Sequence, residues 1–427
     1  MTTKSAIRQL TRRAMPALAL SASLGGCKLD ITNPNAATQE SVLTSAAGIR
    51  ALAIGMQGRT GNALEESISV PGLISGELGN TSATQSTTRE FQTFPVASSN
   101  SAIEETNVDL LDLWAKNYAV VKSANDILDN IGPITFAPGT RAGIVGMAKL
   151  HKAMAYGRLI EAFERIPLDQ GAGAQFADRA AVLTEVLSLL AAARTDITGA
   201  TLTTEFSGSI LAPGFDLLNT IRAMQARYSL AAGNYDAAIV FASEVPASAA
   251  SAVTFSATDI NTLADLFHRS RFFGAISSYR TNAEAGDTRV AQFTTATAFA
   301  PLGGAATFQT NIFLTDASPI PLFSQDELTL IRAEALARLN RLPEAIIQVN
   351  IVRARASLGP KTAADLPTQA AVLDEIFRQR TYSLFATGLR WADQRRFGKI
   401  SLAKVRYLPY PLQVRATNPN TPANPGA

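Results

Sequence analysis

The sequence predicts an all-α fold, a helical scaffold of tetratricopeptide-type helix pairs that carries long irregular insertions. Three observations lead there. Apolar residues recur every three to four positions along several stretches, as one face of a 3.6-residue helix requires. Two of those stretches align as copies of one helix hairpin. The segments between the pairs are rich in Gly, Ser and Thr and fit no helix.

The chain opens on a basic stretch, Lys4, Arg8, Arg12 and Arg13, without an acid, followed by an apolar run from Ala14 to Leu24. That run is far shorter than the roughly 20 residues that span a bilayer, so residues 1–26 read as a signal peptide. It ends in Leu24-Gly25-Gly26-Cys27, which resembles the bacterial lipobox, where small residues allow cleavage before a lipid-modified cysteine. Cys27 is the only cysteine among 427 residues, which excludes a disulfide within the chain. The two histidines, His151 and His268, lie far along the sequence and leave Cys27 without companions for a metal. The expectation is a mature chain 27–427, anchored through acyl chains on Cys27 and by nothing else. Each buried methylene contributes roughly 0.8 kcal/mol, so several chains suffice. Lys28 after the cysteine agrees with sorting to the outer membrane.

Losing the four basic residues of the leader turns a net charge of +3 into −1, so the sequence pI near 9.0 does not describe the mature protein. No basic stripe with interleaved aromatics appears, and nucleic acid is not an expected partner. Hydrophobic content of 47% with 17% charge describes a globular chain with a large core. The tail "ATNPNTPANPGA" is expected to be irregular.

The first helix pair spans about 108–163. Its first helix places Leu111, Trp114, Tyr118, Val121, Asn125, Leu128 and Ile131 on one face. Its second carries Ile144, Met147, Leu150, Met154 and Leu159, and Pro167 closes the run. Further pairs lie near 216–245 and 325–357, and these two look like copies. With Gly233 set on Asn340, Ala226 falls on Ala333, Tyr235 on Leu342 and Ala238 on Ala345. Small residue, turn residue, large apolar residue, small residue is what two helices in close contact need. Gly and Asn are the residues that best tolerate positive φ at the turn.

The chain resembles the SusD/RagB family of surface nutrient-binding lipoproteins over nearly its whole mature length. The landmarks come in order: Cys27 closely followed by "TNPN", "LWAKNYAVVKSANDIL", "MAKLHKAMAYGRLIEAFERIPL", "GDTR", "LIRAEALARLN", "GLRWADQRRFGK" and "YLPYPLQVRATNPN". The resemblance implies a SusD-like helical scaffold at the cell exterior. It also implies capture of an oligomeric nutrient, a glycan or a peptide, for a SusC-like TonB-dependent outer-membrane receptor over which the lipoprotein sits as a lid. Where relatives commonly carry glutamates, this chain has Gln379, Ser383 and Thr387, which weakens the ion pairing expected around Arg380 and Arg390. Arg390, Asp393 and Arg396 share a helix face, so Asp393 can pair with either arginine, and Trp391 and Arg395 are spaced to stack. That cluster is expected to lock the last helix to the body.

No catalytic residues, cofactor or metal ligands are expected. Glu65-Glu66 and Glu104-Glu105 are adjacent in sequence, and adjacent side chains on a helix do not face one another. No G-x-S-x-G elbow, HExxH or P-loop occurs. His151, inside an apolar helix, reads as a core histidine. The ligand is expected on the two insertions, 59–101 and 246–322, because loops of that length are usually functional or disordered and these carry aromatics. The candidates are Phe91 and Phe94 with Arg89, then Phe272, Phe273, Tyr279 and Phe293 with Arg280. Flat rings beside hydrogen-bonding groups suit stacking on sugars. Two other readings compete with nutrient capture. A helical-repeat scaffold of an envelope assembly complex would not need ordered aromatic insertions, and a hydrolase would need a polar constellation.

Overall fold

The computed structural model describes residues 39–81, 90–91, 103–299, 307–400 and 405–425. Contacts divide the chain into residues 1–42 and 43–427, and everything below concerns the larger unit. Cys27, Arg89 and Phe94 lie outside the described residues.

The unit is mostly helical, as expected. Helices α1 (Ala46–Asn62) and α2 (Leu64–Ser75) come first, so the segment from 59 onward begins as helix rather than as an irregular insertion. Its small and polar residues hide the helical period: Thr60, Glu66, Ser69 and Ser75 are all buried there. Helices α3 (Val108–Asn130) and α4 (Pro138–Ala162) form the first expected pair. Asn107 caps α3, its side chain accepting from the amides of Asp109 and Leu110. The most buried face of α3 is displaced by about one residue from the sequence reading. It runs through Leu110, Leu113, Asn117, Val120, Ala124 and Ile127, while Leu111, Tyr118, Asn125 and Leu128 stay partly open. Sandwiched between α1 and α4, the helix has apolar residues on more than one face, and periodicity alone cannot rank them.

The stack continues through α5 (Arg179–Thr198), α6 (Leu217–Ala231) and α7 (Tyr235–Ser243), then α10 (Gln325–Arg338), α11 (Leu342–Arg355) and α12 (Gln369–Ser383). Each helix packs on the next, with α7 against α10 joining the two similar hairpins. Their alignment holds residue by residue. Gly233 and Asn340 both take positive φ, 80° and 59°, at the turn, and Ala226, Ala333, Ala238 and Ala345 are all fully buried at the helix contacts.

The short helices of the second insertion include α8 (Ser277–Thr281) and α9 (Thr288–Phe293). It also supplies most of a four-stranded antiparallel sheet. Strands β1 (Leu78–Asn80), β5 (Phe273–Ile276), β6 (Thr294–Phe299) and β7 (Thr307–Thr310) lie in the order β1-β5-β7-β6. Two two-stranded ribbons complete the strands among the described residues, β2 (Arg165–Pro167) with β3 (Phe176–Asp178) and β4 (Ala252–Val253) with β8 (Ile320–Pro321). Such short strands, drawn from separate parts of the chain, give no alternating pattern long enough to recognise. After α12 the chain closes with α13 (Arg390–Arg396), which docks on α2, and α14 (Leu412–Thr417).

Candidate functional site

The sheet and the last long helices enclose an open groove of about 930 Å³. One wall is built where α2 ends and β1 begins, with Gly76 and Glu77, and where β5 runs into α8, with Ile276, Ser278, Tyr279 and Asn282. Register fixes this wall: β1 and β5 pair antiparallel with Leu78 opposite Ala275. The opposite wall is the outer face of α12, with Phe377, Arg378, Thr381 and Tyr382, joined by Arg390 at the start of α13.

An aromatic and a cation form the platform of that wall. The Arg390 guanidinium lies 4.1 Å from the Phe377 ring centroid and donates to the Thr381 hydroxyl. Phe377 is half-buried, and the Phe397 ring, 5.3 Å away, supports it from behind. Arg378 is exposed and makes no ion pair or hydrogen bond among the described residues. At the rim Lys399 pairs with Asp374 at 2.6 Å. Glu284 and Glu375 are both held by Arg353, at 2.7 Å each, and Arg353 itself is 1% exposed.

Glu77 is the exception among the acids. It is 5% exposed, and neither carboxylate oxygen has a well-formed hydrogen bond. Burial pushes its pKa up to about 8, with the Arg390 charge and the nearby Ala386 amide only partly opposing the shift. At neutral pH it is therefore mostly a neutral carboxyl, able to donate one hydrogen bond and accept others.

The structure redistributes the residues expected to bind. Phe91 and Phe273 are core residues at 0% and 1% exposure, Phe273 with its ring 6.0 Å from Phe267. Tyr279 does line the groove, yet it is only 5% exposed. Its ring packs on Tyr382 and Phe385 at 5.1 and 4.6 Å, and its hydroxyl donates to the Tyr382 carbonyl. These three rings stabilise the sheet from beneath and present no open face. Phe272 is half-buried against the core. Phe293 is half-buried with its ring 6.0 Å from Phe385 and turns toward an inner cavity instead of the groove. Arg280 braces the hairpin: its Nη1 donates to the Thr294 hydroxyl and the Thr295 carbonyl at 2.8 Å each, while its guanidinium covers Phe308.

The C-terminal cluster also differs in one respect. Asp393 pairs with Arg380 at 2.7 Å and Arg396 at 2.8 Å and not with Arg390, which leaves Arg390 for the groove. Arg395 stacks on Trp391 at 4.3 Å as expected. His151 is fully buried, with Nδ1 2.6 Å from the Thr60 hydroxyl, and burial depresses its pKa to about 3, so it is a neutral core residue. Glu77, Phe377 and Arg378 carried no sequence signal. Only the fold brings residues from α2, α8 and α12 to one opening.

A family model described as the SusD family matches residues 284–425. No curated protein sequence matches the chain. Among solved structures, a SusD superfamily protein of Bacteroides thetaiotaomicron superimposes with a TM-score of 0.66 at 17% identity, covering 90% of this chain and 98% of that one. NanU of Bacteroides fragilis gives 0.69 at 14% identity, covering 92% and 99%. A SusD-like carbohydrate binding protein of Bacteroides vulgatus gives 0.64 at 16%, covering 82% and 83%. The chain's C-terminal part thus matches the SusD family's sequence pattern, and nearly all of its length follows the fold of these solved structures.

Proposed function

We propose that this protein is a cell-surface lipoprotein that binds an oligosaccharide and delivers it to a SusC-like TonB-dependent receptor in the outer membrane. The observation that carries the reading is the groove: an aromatic ring under a guanidinium, a neutral buried carboxyl and a rim of hydroxyl and amide groups. A sugar ring offers an apolar face to the edge of the Phe377–Arg390 stack and hydroxyls to Ser278, Asn282, Arg378 and Thr381. The other groove carboxylates, Asp374, Glu284 and Glu375, are held by Lys399 or Arg353, so no second free acid stands ready for glycoside cleavage. The arrangement suits holding a ligand.

No helix among the described residues is long and apolar enough to cross a membrane. In this reading Cys27 supplies the attachment through its acyl chains, and the protein faces the cell exterior. A Cys27→Ser chain then fractionates away from membranes. The relatives described as carbohydrate binding support the glycan as ligand. The deciding experiment presents a mixture of oligosaccharides to the full mature chain and identifies by mass spectrometry what is retained. Intact oligosaccharides should be held and released unchanged. Retention of none, or release of shortened products, contradicts the reading. Extraction of the native protein in mild detergent should recover a large β-barrel receptor with it.

A further inference from the structure

A second cavity, separate from the groove, lies inside the molecule between α2, α4, α6, α10 and the α12–α13 corner. Its volume is about 350 Å³, within the range of small-molecule sites. Most of its wall is apolar and buried, with Ile68, Met154, Ile331, Phe385 and Trp391 each no more than 3% exposed. Gln292, Pro321 and Thr387 are exposed and mark its edge.

The polar part of the wall is unbalanced. Arg227 gives two hydrogen bonds to Glu327, at 2.6 and 2.7 Å. Asp393 takes two from Arg380 and one from Arg396. Glu161 faces outward partners, Arg179 at 2.7 Å and Arg395 at 3.2 Å. Every carboxylate on the wall is thus engaged, and Arg158 has no ion pair or hydrogen bond among the described residues. Its Nη1 is fully covered and without a partner, and so is Nη1 of Arg380, a residue 4% exposed. Burial, with Arg227 adding repulsion, lowers the Arg158 pKa only to about 10, so it remains charged at neutral pH. Arg158 is half-buried on this apolar wall and lacks a counter-charge, which a bound anion would supply.

We propose that this cavity binds a small organic carboxylate whose body is apolar, with the carboxylate on Arg158 and the body against Ile68, Met154 and Trp391. Guanidinium groups match carboxylates in geometry, and the apolar wall supplies the remaining affinity. The site stands independently of the groove reading, since it shares neither Phe377, Arg390 nor Glu77 with it.

The test measures thermal midpoint and calorimetric binding of the mature chain with 3-phenylpropionate, its uncharged amide and inorganic sulfate. The acid should bind saturably and raise the midpoint, with the amide and sulfate at least tenfold weaker. Arg158→Met should lose at least tenfold in acid affinity while its unliganded midpoint stays equal or rises, because an unpaired charge has been removed. Phe377→Ala, a groove variant, should keep the acid-induced shift. Quenching of Trp391 fluorescence by 3-(4-bromophenyl)propionate reads occupancy in the unaltered protein. Equal binding of the amide or of sulfate, undiminished binding by Arg158→Met, or no quenching of Trp391 overturns the proposal.

Discussion

A Cβ placed on Gly388 would lie 2.2 Å from the carbonyl oxygen of Ser67, so the corner before α13 touches the backbone of α2 directly. Gly388 also takes φ 78°, a conformation that costs any other residue about 1–2 kcal/mol. The two demands coincide at the joint that closes the molecule. Gly388→Ala should lower stability by about 2 kcal/mol or more, read from denaturant midpoints, because neither backbone can yield cheaply. A variant as stable as the parent would show that the joint is loose.

Beneath that corner, Arg380 and Asp393 are 4% and 2% exposed and bonded at 2.7 and 2.9 Å. Burial alone would raise the Asp393 pKa, but Arg380 and Arg396 together pull it below the usual carboxylate range. Asp393→Asn leaves both guanidiniums without this counter-charge. The expected loss is about 3–5 kcal/mol, measured by chemical denaturation.

Removing the groove's ring tests the ligand surface. Phe377→Ala should weaken oligosaccharide binding about fivefold to tenfold, as the loss of one stacking contact implies, with little change in thermal midpoint because the ring is only half-buried. Arg390→Lys keeps the charge and loses the planar cover, and should fall between the two. Titration calorimetry on both variants decides.

Glu77 gives the protein a pH dependence of known sign. Its folded pKa of about 8 exceeds the usual 4.5, so between those values the folded state holds a proton that the unfolded state releases. Stability from this group is complete below about pH 4.5 and is lost as pH rises through 8. Glu66, pushed up to about 7 by burial and by Glu65 against the pull of Lys116, adds the same trend at lower pH. Glu77→Gln should therefore flatten the fall in thermal midpoint between pH 6 and pH 9 without abolishing it. An unchanged slope would exclude the carboxyl as its source.

The paired hairpins were legible because their constraints are local. A turn needing positive φ selects Gly233 and Asn340, and close helix contacts select alanines within a dozen residues on either side. The face of α3 was only partly legible, because a helix covered on two sides has apolar residues to spare. The sheet and the groove were not legible. Tyr279 is singled out in the sequence, but Glu77 and Phe377 look like any acid or aromatic in the chain until β1 meets β5 and α12 closes over them. Aromatics in an insertion suggest binders, yet Phe91 and Phe273 are buried in the main core together with residues of the scaffold helices.

The pairing of β1 with β5 sets the order in which the molecule can be completed. Each helix hairpin closes on its near neighbours in the chain, so α3 through α7 can assemble while later residues are still being made. The groove cannot. One wall waits for a strand that follows α7, and the other is α12 with the first residue of α13. A chain halted after α11 would own every repeat and still have nothing with which to grip a ligand. If the groove holds the ligand as proposed, retention is a completeness check written into the topology, passed only by molecules finished through α12 and the start of α13.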